Sequence, residues 1–308
     1  MPTALITHPD CVLHENSPGH PERPQRIGAV LDQLKKEDLF DHLVVMEAPK
    51  ADASAALSCH PQAYIDHIVS SSPSQGTAQL DPDTAMNTHS LDAALRGLGA
   101  GIEATTKVLQ GEVNNAFCLV RPPGHHAEKS TAMGFCFFGN IAIAARHALE
   151  QKNIDRVAIV DFDVHHGNGT EDLVDGDERI LFCSSFEYPQ YPNCYKPDVP
   201  GQRVNVPLSP GTGSDDFRHA ILDTWIPALN AFRPQMLFIS AGFDAHAEDP
   251  LAGLALGDND FVWITQQLMR VADEHANGRI VSMLEGGYSL PALARSATGH
   301  VRELMRLG

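Results

Sequence analysis

Short apolar runs alternate with longer stretches of helical periodicity from one end of this chain to the other. Ala116-Phe117-Cys118-Leu119-Val120, Val157-Ala158-Ile159-Val160, Ile180-Leu181-Phe182-Cys183, Met236-Leu237-Phe238-Ile239 and Ile280-Val281-Ser282-Met283-Leu284 are short and almost wholly apolar. Runs of that length, bounded by glycine and polar residues, read as buried strands. Between and after them the pattern predicts helices over roughly 89–110, 139–152, 214–232, 259–277 and 290–306. Buried strands alternating with helices imply an α/β fold: a single open, mostly parallel sheet with helices on both faces. Ligands of such sheets bind beyond the carboxyl ends of the strands.

Those ends are where the reactive residues lie. The run Val157–Val160 continues into Asp161-Phe162-Asp163-Val164-His165-His166-Gly167-Asn168-Gly169. Residues two apart on an extended chain point the same way, so Asp163 and His165 can face one point and share a zinc-like metal. Ser240-Ala241-Gly242-Phe243-Asp244 ends another strand, and Asp244 can complete the ligand set. Three protein ligands leave zinc open to water or substrate, which is the catalytic pattern. Two carboxylates also blunt the metal's Lewis acidity, so water activation calls for a general base. His125 and His126, after Arg121-Pro122-Pro123-Gly124, are the candidates, with Asp161 and Asn168 as the groups that orient their rings. Tyr288 follows Glu285-Gly286-Gly287, where its phenol can donate to a carbonyl oxygen gaining negative charge.

Composition narrows the partners. A formal net charge of −17, from 39 acidic against 22 basic residues, argues against non-specific nucleic-acid binding and suits a cationic substrate. The start of the chain lacks a signal peptide, and no apolar run is long enough to span a bilayer, so no membrane role is expected. Six scattered cysteines without a Cys-x-x-Cys pair fit a reducing cytoplasm. No linker or repeat divides residues 1–308, which read as a single catalytic domain, and a homo-oligomer remains open.

Together with His20-Pro21-Glu22-Arg23-Pro24-Gln25-Arg26, these motifs resemble, in order along the chain, the zinc-dependent histone deacetylase superfamily. Asn168, where class I members carry aspartate, points to the class II branch and its bacterial relatives, including acetylpolyamine amidohydrolases. The resemblance implies an arginase/deacetylase-like fold and hydrolysis of an acyl-amide on lysine or a related amine. It implies one zinc ion per chain on Asp163, His165 and Asp244, with His126 as the base, His125 assisting and Tyr288 polarising the carbonyl. It also implies a structural potassium ion held by Asp161 and Ser184, with backbone oxygens of Asp163, His165 and Ser185.

For the substrate, the resemblance implies a channel walled by Phe135, beside Gly134, with Tyr191 as candidate for the opposite wall. Leu251 stands at its gate, Gly286 counts among the substrate-binding residues, and either Asp81 or Asp83 matches an acidic rim residue. The family's Pro-Gly-Thr-Gly loop is replaced by Pro192-Asn193-Cys194-Tyr195, so the shape of the mouth does not carry over. Arg26 resembles an arginine lining an internal channel; read on its own it is a charge on a helix face. The leading expectation is a lysine deacylase, and the runner-up is an acetylpolyamine amidohydrolase. An arginase-type two-manganese enzyme fits the His125–His126 pair poorly. A catalytically silent binding protein would have lost at least one reactive position.

Overall fold

Eight parallel strands lie side by side in the central sheet, so their carboxyl ends all open on one edge. The structure is a computed structural model and describes residues 2–307. Its strands are β1 (Thr3–Thr7), β2 (Val44–Glu47), β3 (Thr77–Asp81), β4 (Thr84–Asn87), β5 (Asn115–Cys118), β6 (Val157–Asp161), β7 (Ile180–Glu187), β8 (Arg203–Leu208), β9 (Leu237–Ala241) and β10 (Ile280–Leu284). The large sheet has the order β2-β1-β5-β10-β9-β6-β7-β8, and β3 and β4 form a separate antiparallel hairpin. Five of the eight strands carry the apolar runs read from the sequence; β1, β2 and β8 are not among them. Val45 and Glu47 of the edge strand β2 are exposed and Pro207 interrupts β8, so neither presents a continuous apolar run.

The helices are α1 (Asp10–Leu13), α2 (Gln25–Lys36), α3 (Gln62–Ser70), α4 (Ser90–Leu109), α5 (Asn140–Leu149), α6 (Asn168–Val174), α7 (Ser214–Asp223), α8 (Trp225–Phe232), α9 (Asp258–His275) and α10 (Leu290–Leu304). The single helix expected over 214–232 is in fact two. Pro227 has no N–H to donate to the carbonyl of Asp223, and the chain bends at Thr224, whose backbone leaves the helical region.

Alternation along each strand feeds two cores. Ile159, Phe182, Phe238 and Val281 point to the side covered by α4 and α5, whereas Val160, Leu181, Ile239 and Leu284 point to the side covered by α2, α9 and α10. Burial on both faces explains why these strands read as unbroken apolar runs. The sheet is thereby clamped from both sides, which fixes the loops at its carboxyl edge.

Candidate active site and metal centre

The strand order brings the reactive loops together. β6 and β9 are neighbours with Asp161 opposite Ser240, so the loop carrying Asp163 and His165 meets the loop carrying Asp244. All three side chains are buried, and one candidate ligand atom from each lies within 4.8 Å of the others. His165 Nδ1 is 3.1 Å from Asp163 Oδ1 and 3.2 Å from Asp244 Oδ2. Backbone N–H groups aim the carboxylates: Val164 donates to Asp244 Oδ1 (2.9 Å), Gly286 to Asp163 Oδ2 (2.7 Å) and His165 to Asp163 Oδ1 (2.9 Å). Gly286 permits this approach, because a Cβ there would sit 2.0 Å from Asp244 Oδ2 and 2.6 Å from Asp163 Oδ2.

The charge of the cluster is unbalanced. Burial and the negative Asp163 push the Asp244 carboxyl up to about 7. Burial works the same way on Asp163, but His125 and His165 hold it below the usual carboxylate range. Burial also disfavours charge on His165, yet the adjacent Asp163 and Asp244 carboxylates push it up to about 10. Asp244 Oδ2 is buried without a hydrogen-bond partner, which a structure tolerates only where something else satisfies it. Two carboxylates and one imidazole converging on an unsatisfied oxygen fit a divalent cation of the zinc class.

β5 delivers the histidine pair to the same place. The Glu285 carboxylate, just beyond β10, accepts from Gly124 N (2.7 Å) and His125 N (3.1 Å) and so pins the turn before both rings. His125 Nδ1 lies 2.9 Å from Asp161 Oδ2, and His126 Nδ1 lies 2.7 Å from Asn168 Oδ1. Burial opposes charge on both rings, with opposite outcomes. For His125 the anionic Asp163 and Asp161 outweigh burial and raise its pKa well above the ordinary value. For His126 burial wins, reinforced by the cationic tendency of His125 and His165, and its pKa falls well below. Neighbouring groups driven apart in this way are a mark of acid–base sites.

Tyr288 is held from two directions. Its backbone N–H donates to Asp249 Oδ2 (2.7 Å), while the Arg26 guanidinium carbon stands 5.1 Å from its ring centroid. Arg26 is fully buried, which rules out the reading as a charge on an exposed helix face. It donates to the Gly287 carbonyl (2.8 Å) and pairs with buried Glu22, which also pairs with Arg121. Burial and the charge of Asp244 push the Tyr288 phenol well up, so it stays protonated and able to donate.

A cavity of about 220 Å³ opens above these groups, lined by Asp83, His126, Gly134, Phe135, His165, Gln190, Tyr191, Leu251 and Tyr288. That volume is below the usual range for drug-sized ligands and suits a narrow linear chain. Phe135 and Gly134 both adopt positive φ, 70° and 56°, an unusual state for phenylalanine. Asp83 Oδ1 accepts from Gly134 N (3.1 Å) and Thr84 Oγ1 from Phe135 N (2.9 Å), which holds that turn in place. Tyr191 stands edge-on to His126 with ring centroids 5.0 Å apart. Of the two acidic candidates, Asp83 lines the cavity and Asp81 does not, because Asp81 ends β3 and the hairpin turn carries Asp83 inward.

The altered loop keeps Tyr191 at the cavity and turns away after it. Tyr195 packs against Phe186 and Tyr188, with centroids 5.1 and 5.3 Å apart, and lines no part of the cavity. The β6–β7 register sets Asp161 beside Ser184, with buried Ser185 next along the strand. Ser184 Oγ is 3.0 Å from His166 Nδ1. Four residues of the site escape a reading of the sequence: Glu128, Asp249, Gln190 and the anchoring Glu285. Only Glu285 has a local signal, as the first residue of its strand-end motif.

Similarity to known proteins places the chain in a family. The profile of the histone deacetylase domain matches residues 20–304. A probable deacetylase of Archaeoglobus fulgidus is 38% identical over 94% of this chain and 82% of its own length. A histone deacetylase-like amidohydrolase of Pseudomonas aeruginosa is 38% identical over 88% of this chain and 73% of its own. The crystal structure of the HDA15 HD domain superposes with a TM-score of 0.93 at 32% identity, covering 99% of this chain and 90% of that one. With motifs, strand-end loops and whole fold in agreement, this chain belongs to the histone deacetylase family and is a hydrolase of amide bonds.

Proposed function

We propose that the protein is a zinc-dependent lysine deacylase, with residues 1–308 forming one catalytic domain. It would remove acetyl or another short acyl group from lysine side chains. The observation that carries the reading is the small cavity of about 220 Å³ lined by Phe135, Tyr191 and Leu251 together with His126, His165 and Tyr288. An apolar wall suits the methylene stem of acyl-lysine, and the buried polar groups gather where its amide would lie. Asp163, His165 and Asp244 would hold the zinc, which when bound supplies Lewis acidity and lowers the pKa of water. Asp161 and Ser184, with neighbouring backbone oxygens and Ser185, would hold a potassium ion that stiffens the same loop.

The chain's own residues supply the rest of the chemistry. His126, bonded at Nδ1 to Asn168, keeps Nε2 free to take a proton from the attacking water. His125, paired with Asp161, stabilises negative charge as the carbonyl carbon becomes tetrahedral. Tyr288 donates its phenol proton in a hydrogen bond to the carbonyl oxygen. The departing amine then recovers a proton from the histidine pair. His126→Ala should retain zinc and lose roughly 10²-fold or more in kcat, with His125→Ala impaired but less so. Metal content and turnover on a fluorogenic acetyl-lysine peptide measure both. Wild-type rates in the two variants would remove the pair from the mechanism.

One observation favours the acetylpolyamine alternative: Asp83 places a carboxylate in the cavity wall, where a second ammonium group could meet it. Leu251 speaks against it, since a leucine offers a distant amine no charge. The expected order is therefore a higher kcat/KM for acyl-lysine peptides than for acetylspermidine, with Leu251→Glu moving the preference towards the polyamine. Competition assays on one preparation decide the matter, and a wild-type preference for acetylspermidine would put the alternative in its place. No helix among the described residues is long and apolar enough to cross a membrane. The cysteines are unpaired, which supports a reducing compartment such as the cytoplasm.

A further inference from the structure

The two histidines are oriented by different kinds of group. Asp161 presents a carboxylate to His125, and either carboxylate oxygen can only accept. Asn168 presents an amide to His126, and an amide can face an imidazole with its oxygen or, turned over, with its NH₂. The first arrangement places the ring proton on Nδ1 and leaves Nε2 as a base. The second places the proton on Nε2 and abolishes the base. Asn168 alone does not choose between them.

What surrounds the other end of the amide makes the choice. Asn168 Nδ2 lies 2.7 Å from Glu128 Oε1 and 3.4 Å from Met133 Sδ. A carboxylate and a thioether accept and do not donate, so the atom facing them must be the NH₂ and the atom facing His126 must be the oxygen. Glu128 is itself fixed. Its N–H donates to the Thr131 carbonyl (3.0 Å), and the next residue, Lys129, donates its backbone N–H to Asp172 Oδ2 (3.0 Å) on α6, the helix that carries Asn168. Neither Glu128 nor Asn168 lines the substrate cavity.

We infer that Glu128 is a positioning residue that sets the tautomer of His126 by locking the orientation of the Asn168 amide. The inference rests on the reading of His126 as the proton acceptor, and its test separates the two. Glu128→Gln keeps the shape of the side chain but offers an NH₂ that can turn Asn168 over, so kcat should fall about 10–100-fold with little change in KM. Asn168→Asp alone sets two carboxylates against each other and should also be impaired. The double variant Glu128→Gln/Asn168→Asp restores a consistent chain with the central donor reversed. The amide introduced at position 128 donates to the carboxylate introduced at position 168, and that carboxylate still accepts from His126 Nδ1. Its kcat should recover at least about 10-fold over the Glu128→Gln single variant, a pattern that loss of packing does not produce.

A readout independent of turnover uses zinc-loaded protein labelled with ¹⁵N-histidine. Two-bond ¹⁵N–¹H correlations should find the His126 proton on Nδ1 in the wild type and the double variant, and partly on Nε2 in Glu128→Gln. A wild-type proton on Nε2, or a double variant no faster than the slower single one, overturns the inference. If Glu128→Gln does not fold, the wild-type spectrum still decides. An inactive wild type with the proton on Nδ1 would instead overturn the assigned activity and leave the role of Glu128 standing.

Discussion

Asp244→Ala is expected to lose bound zinc and deacylase activity together while the protein stays folded. Among the described residues, Asp244 supplies one of the three side chains that converge on the proposed metal position. Removing a group that merely supports a metal ligand costs about 10–100-fold in affinity or activity, so removing a ligand should cost more. Folding should survive because the substitution relieves a buried repulsion: Asp244 crowds Asp163, and burial together with that charge already pushes its carboxyl up to about 7. The sheet beneath is held by two apolar cores that do not include Asp244. Asp163→Ala should behave alike for the metal but fold less well, since Asp163 accepts from two backbone N–H groups, Gly286 and His165, where Asp244 accepts from one, Val164. Metal analysis after dialysis, circular dichroism and turnover on an acetyl-lysine peptide test the set. Full zinc occupancy with wild-type turnover in Asp244→Ala would sink the ligand assignment.

How much of this site the sequence discloses follows from how local each contact is. Asp163 and His165 are two residues apart, but β6 ends at Asp161 and the chain bends over 163–165, so their closeness in sequence and the bond from His165 N to Asp163 Oδ1 pair them, not the strand geometry expected. Asp244, Tyr288 and the histidine pair each follow an apolar run, and the parallel sheet gathers all such ends on one edge. Glu128 is different. Its bond to Asn168 spans 40 residues and depends on a turn that no periodicity announces. Asp249 reaches Tyr288 N across 39 residues, and Arg26 reaches Gly287 across 261. Arg26 also shows why a charge pattern misleads: Glu22 sits four residues earlier, as in an exposed helix pair, yet both are fully buried with Arg121 beneath the catalytic loop. The helix expected over 214–232 fails for a reason visible in the sequence, since Pro227 lies in its middle.

Tyr288→Phe should lower kcat by about 10²–10³-fold while leaving zinc content, fold and KM nearly unchanged. The substitution removes one oxygen and keeps the ring that packs between Arg26 and Phe135. The backbone bond from Tyr288 N to Asp249 does not involve the side chain, so the loop should hold its position. What disappears is a donor whose pKa burial and Asp244 push well above the ordinary phenol value. Such a group stays protonated throughout the working pH range and keeps its proton available to donate. A hydrogen bond to the substrate oxygen becomes stronger as that oxygen gains negative charge, so its loss falls on the transition state more than on the bound ground state. The split between the constants is therefore the measurement that matters. A fall in kcat and kcat/KM by the same factor assigns the phenol to the transition state, and a rise in KM with kcat unchanged would make Tyr288 a residue that only binds substrate.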